Sequence, residues 1–226
     1  MSHMYKDEES NKPIPTWNPF KGCRFNCVYC KPSFQAQAKR QKHNCLKCYN
    51  YEPHFHPERL NKIPKAYLVF ACGNGDFSFA SFDQRIMILR AMHQKPKQTF
   101  LLQTKNPNCL SSVRIPANVI VGTTIESNRN YDGISNAPSV EFRKECLERL
   151  RCRKAVTIEP ILDFDVKILA DWIYRINPEI VWIGYCNHTN GLSLDEPDLE
   201  KTKLLISKLE VFTDVRLKTI REKMNS

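Results

Sequence analysis

The chain has 226 residues, with 34 Lys and Arg against 24 Asp and Glu and a net charge of +10, enough length for one well-buried domain or compact α/β barrel. It holds no run of about 18 apolar residues, which argues against a membrane-spanning helix, and its polar opening YKDEESNKPIP lacks the apolar core of a secretory signal. Ten cysteines in such a chain point to a reducing cytoplasm, where they act as thiols or metal ligands.

In chain order, MSHM is similar to the remnant of an expression tag, and residues 1–12 read as that remnant plus a flexible N-terminus. Residues 13–226 read as one domain. TWNPF, residues 16–20, is a first strand, and KGCRFNCVYCK follows it with Cys23, Cys27 and Cys30 at intervals of four and three and Tyr29 just before the last. Such a loop can wrap three thiolates around one corner of a cuboidal iron–sulfur cluster, which ordinarily takes four cysteines. The fourth iron is then open, and an open position separates catalytic from closed structural metal sites. The competing arrangement is a zinc site that borrows Cys45 or Cys48.

Residues 31–65 read as a basic insertion. From 21 to 65 there are ten Lys or Arg against only Glu52 and Glu58, interleaved with Phe25, Tyr29, Phe34, Tyr49, Tyr51 and Phe55. That mixture suits phosphate attraction and base stacking, or simply a solvated basic face. Within it, Cys45 and Cys48 form a Cys-x2-Cys knuckle, and His54 and His56 follow at a distance that could complete a Cys2His2 zinc tetrahedron and staple the segment. The alternative is a loop with free thiols and surface histidines.

Beyond it, AYLVFA (66–71), TFLLQT (99–104), NVIVGTT (118–124), KAVTIE (154–159) and EIVWIGY (179–185) are strand-length and nearly continuous in apolar character, as buried parallel strands are. Helical patterns over 83–94, 139–151, 165–176 and 196–210 alternate with them. The first carries a capping box at Ser81 and Gln84, and the second places Phe142, Cys146, Leu147 and Leu150 on its apolar face. Six strands, each followed by a helix or loop, predict a parallel α/β sheet, open or partly curled. Ligands of such folds gather at the carboxyl ends of the strands.

Those ends are polar. ACGNGDFSFA follows the second strand with turns at Gly73 and Gly75 and a carboxylate at Asp76. Later strands end in Thr104 and Lys105, Thr124 and Glu126, Thr157 and Glu159, and Tyr185, Cys186, Asn187 and His188.

The pattern Cys-x3-Cys-x-aromatic-Cys after a strand resembles the radical S-adenosylmethionine superfamily. The resemblance implies a 4Fe-4S cluster on Cys23, Cys27 and Cys30, S-adenosylmethionine on the open iron, and Tyr29 beside its adenine. Gly73, Asn74, Gly75 and Asp76 look like a variant of the superfamily's Gly-Gly-Glu motif, with Asp in place of the usual Glu. More specifically, TFLLQTK, VIVGTTIES, VTIEPI and IVWIGY resemble phage-associated radical S-adenosylmethionine proteins distantly related to spore photoproduct lyase, over Thr16 to Tyr185. This implies a partial (β/α)6 barrel with Lys105, Thr124, Glu126 and Glu159 near cofactor or substrate. It also implies reductive cleavage to a 5'-deoxyadenosyl radical, fed by an electron donor such as flavodoxin or ferredoxin. Cys72 and Cys186 could return a hydrogen atom to a product radical, as a cysteine does in the lyase, or fill core space as buried thiols do. The basic, aromatic segment favours DNA, RNA or a nucleotide as substrate. The alternative function is a non-catalytic zinc or iron–sulfur module that binds nucleic acid.

Overall fold

The computed structural model describes residues 5–6, 12–187 and 192–222. His188, one of the polar strand-end residues, lies outside them.

TWNPF is not one strand. Pro19 offers no backbone donor, and the segment divides into β1 (Thr16–Trp17) and β2 (Phe20–Lys21). Two short helices, α1 (Ala36–Ala38) and α2 (Leu46–Tyr49), lead to β3 (His54–Phe55), which pairs antiparallel with β2. The remaining elements alternate except between β5 and β6, which a short helical turn (Pro107–Leu110) joins: β4 (Leu68–Ala71), α3 (Phe82–His93), β5 (Thr99–Gln103), β6 (Val119–Thr124), α4 (Val140–Arg149), β7 (Arg153–Ile158), α5 (Val166–Ile176), β8 (Ile180–Ile183), α6 (Leu199–Leu209) and β9 (Asp214–Leu217). The capping box forms, with Gln84 N–H donating to Ser81 Oγ at 3.3 Å and Ser81 N–H to Gln84 Oε1 at 3.0 Å.

Seven strands, not six, make the main sheet. Their order is β1-β4-β5-β6-β7-β8-β9, parallel throughout. Each strand joins the one before it, so the winding never reverses, as in a barrel and unlike a doubly wound sheet. The ends β1 and β9 are not paired, and the fold is a partial α/β barrel. DVRL of β9 carries Asp and Arg in alternation with Val and Leu and sits at an edge, so it lacks the continuous apolar run that marks the inner strands.

The two-residue strand period sorts the side chains. Val69, Ala71, Phe100, Leu102, Val121, Val156, Ile158, Val181 and Ile183 point to the helices and pack with Ile88, Met92, Leu147, Leu169, Ile173, Leu205 and Leu209. The alternate residues Phe70, Leu101, Ile120, Ala155, Ile180 and Trp182 form a second core on the concave face, completed by Tyr5 and Ile14. Tyr5 fills the interior from the N-terminal segment. Its ring lies 5.0 Å from Phe70 and 4.4 Å from Trp182, and its hydroxyl donates to Gln103 and sits 3.0 Å from Thr157 Oγ1.

Helix α4 buries Cys146, Leu147 and Leu150 as its hydrophobicity predicts, but not Phe142. Phe142 is 42% exposed, whereas Val140, Arg143, Lys144, Cys146 and Leu147 are buried. Arg143 is drawn under the sheet by a buried carboxylate, and Lys144 is paired along the helix with Glu148.

Candidate active site

The cysteine loop is held by close backbone contacts on both sides. Gly22, at φ +84°, is packed so that a Cβ there would stand 2.0 Å from the Glu52 carbonyl oxygen. A Cβ on Gly75 would stand 2.5 Å from the Gly22 nitrogen. Only glycine permits this approach. Gly22 N–H donates to the Asn74 carbonyl at 3.0 Å and the Asp76 N–H returns to the Gly22 carbonyl at 3.0 Å. The Gly-Asn-Gly-Asp turn therefore binds the start of the cysteine loop rather than standing apart from it. On the other side, the loop after β6 accepts from Val28 N–H at Ile134 and donates from Asn136 N–H to Phe25.

Cys23, Cys27 and Cys30 all line one cavity of about 360 Å³, within the size range of small-molecule sites. Their protonation is uneven. A hydrogen bond from Cys30 lowers the Cys27 thiol to about 5 against the opposing effect of burial, helped by Lys105 and by Ser135, whose hydroxyl is 3.0 Å away. Burial pushes Cys23 up to about 12. Three soft sulfur donors from one loop suit iron–sulfur or zinc chemistry rather than a hard cation.

The polar strand ends reach the same cavity because the two-residue period that puts Leu101, Ile120 and Ala155 on the concave face carries on to Lys105, Thr124 and Glu159. Tyr29, Gly73, Asn74, Gly75 and Asp76 join them on its wall, as do Cys72, Cys186 and Asn187. Asp76 serves chiefly as a lock: its carboxylate accepts from Ser78 N–H at 2.9 Å, Ser78 Oγ at 2.7 Å, Thr104 Oγ at 2.6 Å and Lys105 N–H at 2.8 Å. Cys72 is fully buried at φ +57°, and burial raises its thiol to about 12. Thr157 and Tyr185 do not line the cavity. The first meets Tyr5, and the second bonds Thr202 Oγ1 at 2.8 Å in the outer core.

Glu126 lies behind this wall, 3% exposed. Burial alone would raise its pKa, but Arg143 and then Lys105 outweigh it and hold the carboxyl at about 2. Tyr29 and Lys105 both donate to Oε1, and Lys105 Nζ also donates to the Tyr29 hydroxyl at 2.5 Å. Arg143 Nη1 stands 2.9 Å from Oε2 while donating to the Thr124 carbonyl at 2.5 Å. Its contact with Oε2 lacks hydrogen-bond alignment and is mainly Coulombic. The ring expected beside adenine is thus fixed at its hydroxyl by the group expected at the next strand end.

Sequence reasoning missed Ser135, Arg143 and Lys218, and it placed Tyr51 only among the aromatics of the basic segment, not on the cavity wall. Lys218 follows the unrecognised β9, pairs with Glu159 on the cavity wall, and lies 5.2 Å from the Tyr5 ring centroid. The strand period extended from Asp214 and Arg216 would have pointed to it.

Beside the cavity, Cys45, Cys48, His54 and His56 bring their ligand atoms within 4.8 Å of one another. No disulfide joins any of the ten cysteines. The exposed basic residues Lys31, Lys39 and Arg40 lie on the segment whose Ser33, Phe34 and Gln37 line the cavity. The aromatics of this region turn inward: Phe25 packs 4.7 Å from Phe79, and Phe55 packs against the core. Among the described residues no helix is long and apolar enough to cross a membrane.

No family model and no curated protein matches the sequence. Among solved structures the fold is similar to that of Streptococcus suis SuiB, determined bound to precursor peptide SuiA, with 11% identity and a TM-score of 0.50 over 91% of this chain and 49% of SuiB. The chain spans about half the length of that protein. What the two share at this identity is the α/β fold.

Proposed function

We propose that the chain is a radical S-adenosylmethionine enzyme. The observation that carries this is the meeting of three thiols from one loop with the polar ends of β4 to β7 on a single cavity wall. The likeness to SuiB, itself a radical S-adenosylmethionine enzyme, supports the general kind of chemistry.

The residues fit both cofactors. Cys23, Cys27 and Cys30 would supply the sulfur donors for a 4Fe-4S cluster. Asp76, Lys105, Thr124 and Glu159 offer acceptors and donors for a zwitterionic amino acid group and a ribose, and the Tyr29 ring offers an aromatic face. When bound, the two cofactors supply one-electron cleavage of the sulfonium and a 5'-deoxyadenosyl radical. The chain's own part is to orient and to exclude water. Glu126 fixes Tyr29 and Lys105, Asp76 fixes the turn, and the Tyr5 ring closes the barrel interior below Gln103 and Thr157. Cys72 and Cys186 line the cavity and are its candidate hydrogen-atom donors, with an external flavodoxin or ferredoxin as electron source. The exposed lysines and arginines of the segment after Cys30 favour a phosphate-bearing substrate, a nucleotide or nucleic acid.

Anaerobic reconstitution should load about four irons per chain and, after reduction with S-adenosylmethionine, yield 5'-deoxyadenosine. Cys27→Ala should abolish both while leaving the circular dichroism spectrum unchanged. A wild-type protein that loads iron but releases no deoxyadenosine under any reductant would sink the proposal.

A further inference from the structure

We propose that Cys45, Cys48, His54 and His56 form a closed structural zinc site that pins the neighbouring cysteine loop in place. Cys45 Sγ lies 3.5 Å from His54 Nε2, and Cys48 Sγ lies 3.3 Å from both His54 Nε2 and His56 Nε2. Zinc–sulfur and zinc–nitrogen bonds of about 2.3 and 2.0 Å at the tetrahedral angle would put sulfur and nitrogen about 3.5 Å apart. The remaining ring nitrogens are occupied. His54 Nδ1 is 2.6 Å from the Glu52 carbonyl and His56 Nδ1 is 2.8 Å from Glu58 Oε1. These partners take the Nδ1 proton and leave each Nε2 lone pair facing the sulfurs, the outer support that zinc-bound histidines show. Two thiolates with two imidazoles suit zinc and are an uncommon set for an iron–sulfur cluster. Four protein ligands leave no open position, so the role is structural.

Burial supplies an independent reason. Across residues 31–65 only Cys48 and His56 are buried. Two of the four ligands are therefore the only buried side chains of this segment, which leans on the main core through the half-buried Phe55, Leu60 and Ile63 but buries no core of its own to hold its shape without a metal. The segment is joined directly to the cysteine loop. His54 and Phe55 pair with Lys21 and Phe20, His56 N–H donates to the Pro19 carbonyl at 2.7 Å, and Cys23 N–H donates to the Tyr51 carbonyl at 3.2 Å. The Glu52 carbonyl, which accepts from His54, is also the group against which Gly22 packs. The zinc site and the pinning stand on these contacts alone; that the pinned loop would carry a cluster rests on the radical-enzyme reading.

The test uses the full chain produced with both metals supplied. Metal analysis should find about one zinc per chain in wild type and in Cys27→Ala, and none in Cys45→Ser, which alters the more exposed cysteine. Cobalt(II) in place of zinc should give the intense ligand-field bands of a tetrahedral thiolate site. In cluster-free wild type, chelating the zinc should accelerate amide exchange over residues 22–31 by about tenfold or more while α5 is unchanged. Zinc well below stoichiometry, zinc retained in Cys45→Ser and in His56→Ala, iron at the site, or an octahedral cobalt spectrum each overturns the site. Unchanged exchange over 22–31 overturns the pinning. Failure of the radical-enzyme reading would look different: no 5'-deoxyadenosine, with zinc content and exchange as expected.

Discussion

Glu126 shows how one side chain can carry the order of a site without facing it. Its carboxylate balances Lys105 and Arg143, both largely buried, and orients Tyr29. Glu126→Gln keeps the shape but leaves two buried cations without a counter-charge, a loss of roughly 3–5 kcal/mol that thermal or urea unfolding would measure. An unchanged midpoint would show that the cations do not depend on it. The sign of the pH effect follows from burial being outweighed by the cations: the folded carboxyl sits near 2 against an ordinary 4.5. Its stabilisation is present above about 4.5 and is lost as pH falls toward about 2. The variant should lack that acid-side loss. That Cys23, Cys27, Cys30 and Tyr29 come together on one cavity was legible because their spacing is local. Arg143 was not, because its charge reads as solvent-facing until the carboxylate opposite it is placed.

At the scale of elements, the cysteine loop is held at its start by two glycine contacts, Gly22 on Glu52 and Gly75 on Gly22, and on its other side by backbone hydrogen bonds to the loop after β6. Gly22→Ala forces a side chain into a left-handed backbone and against the Glu52 carbonyl. The expected cost is at least about 1–3 kcal/mol, together with reduced iron loading. Full stability and full loading in this variant would mean that the loop moves freely from the segment behind it. The order of strands and helices from β4 to α6 was legible because buried parallel strands are apolar throughout and α5 has a clear amphipathic period, with a capping box marking the start of α3. Three features were not. The β1–β2 division depends on Pro19 and on a partner strand, β3, of only two residues. The burial of Arg143 and Lys144 on α4, beside an exposed Phe142, depends on ion pairs. The edge strand β9 alternates in the manner of a surface strand.

For the whole molecule, monotonic strand order places every polar strand end at one rim, and the basic segment after Cys30 extends from that rim. If its exposed lysines and arginines meet phosphates, affinity for single-stranded DNA or RNA should fall steeply between about 50 and 200 mM salt. Affinity that is absent, or indifferent to salt, would remove nucleic acid as a substrate class and leave small nucleotides. The concave core has a further implication, for the order in which the protein can be built. Strands β4 to β9 each add beside the preceding one, so pairing can follow synthesis. Tyr5 cannot: its ring rests on Trp182 and its hydroxyl reaches Thr157. A residue that precedes β1 therefore waits for β7 and β8 before it has a native environment, and the floor of the cavity is finished only when those strands stand.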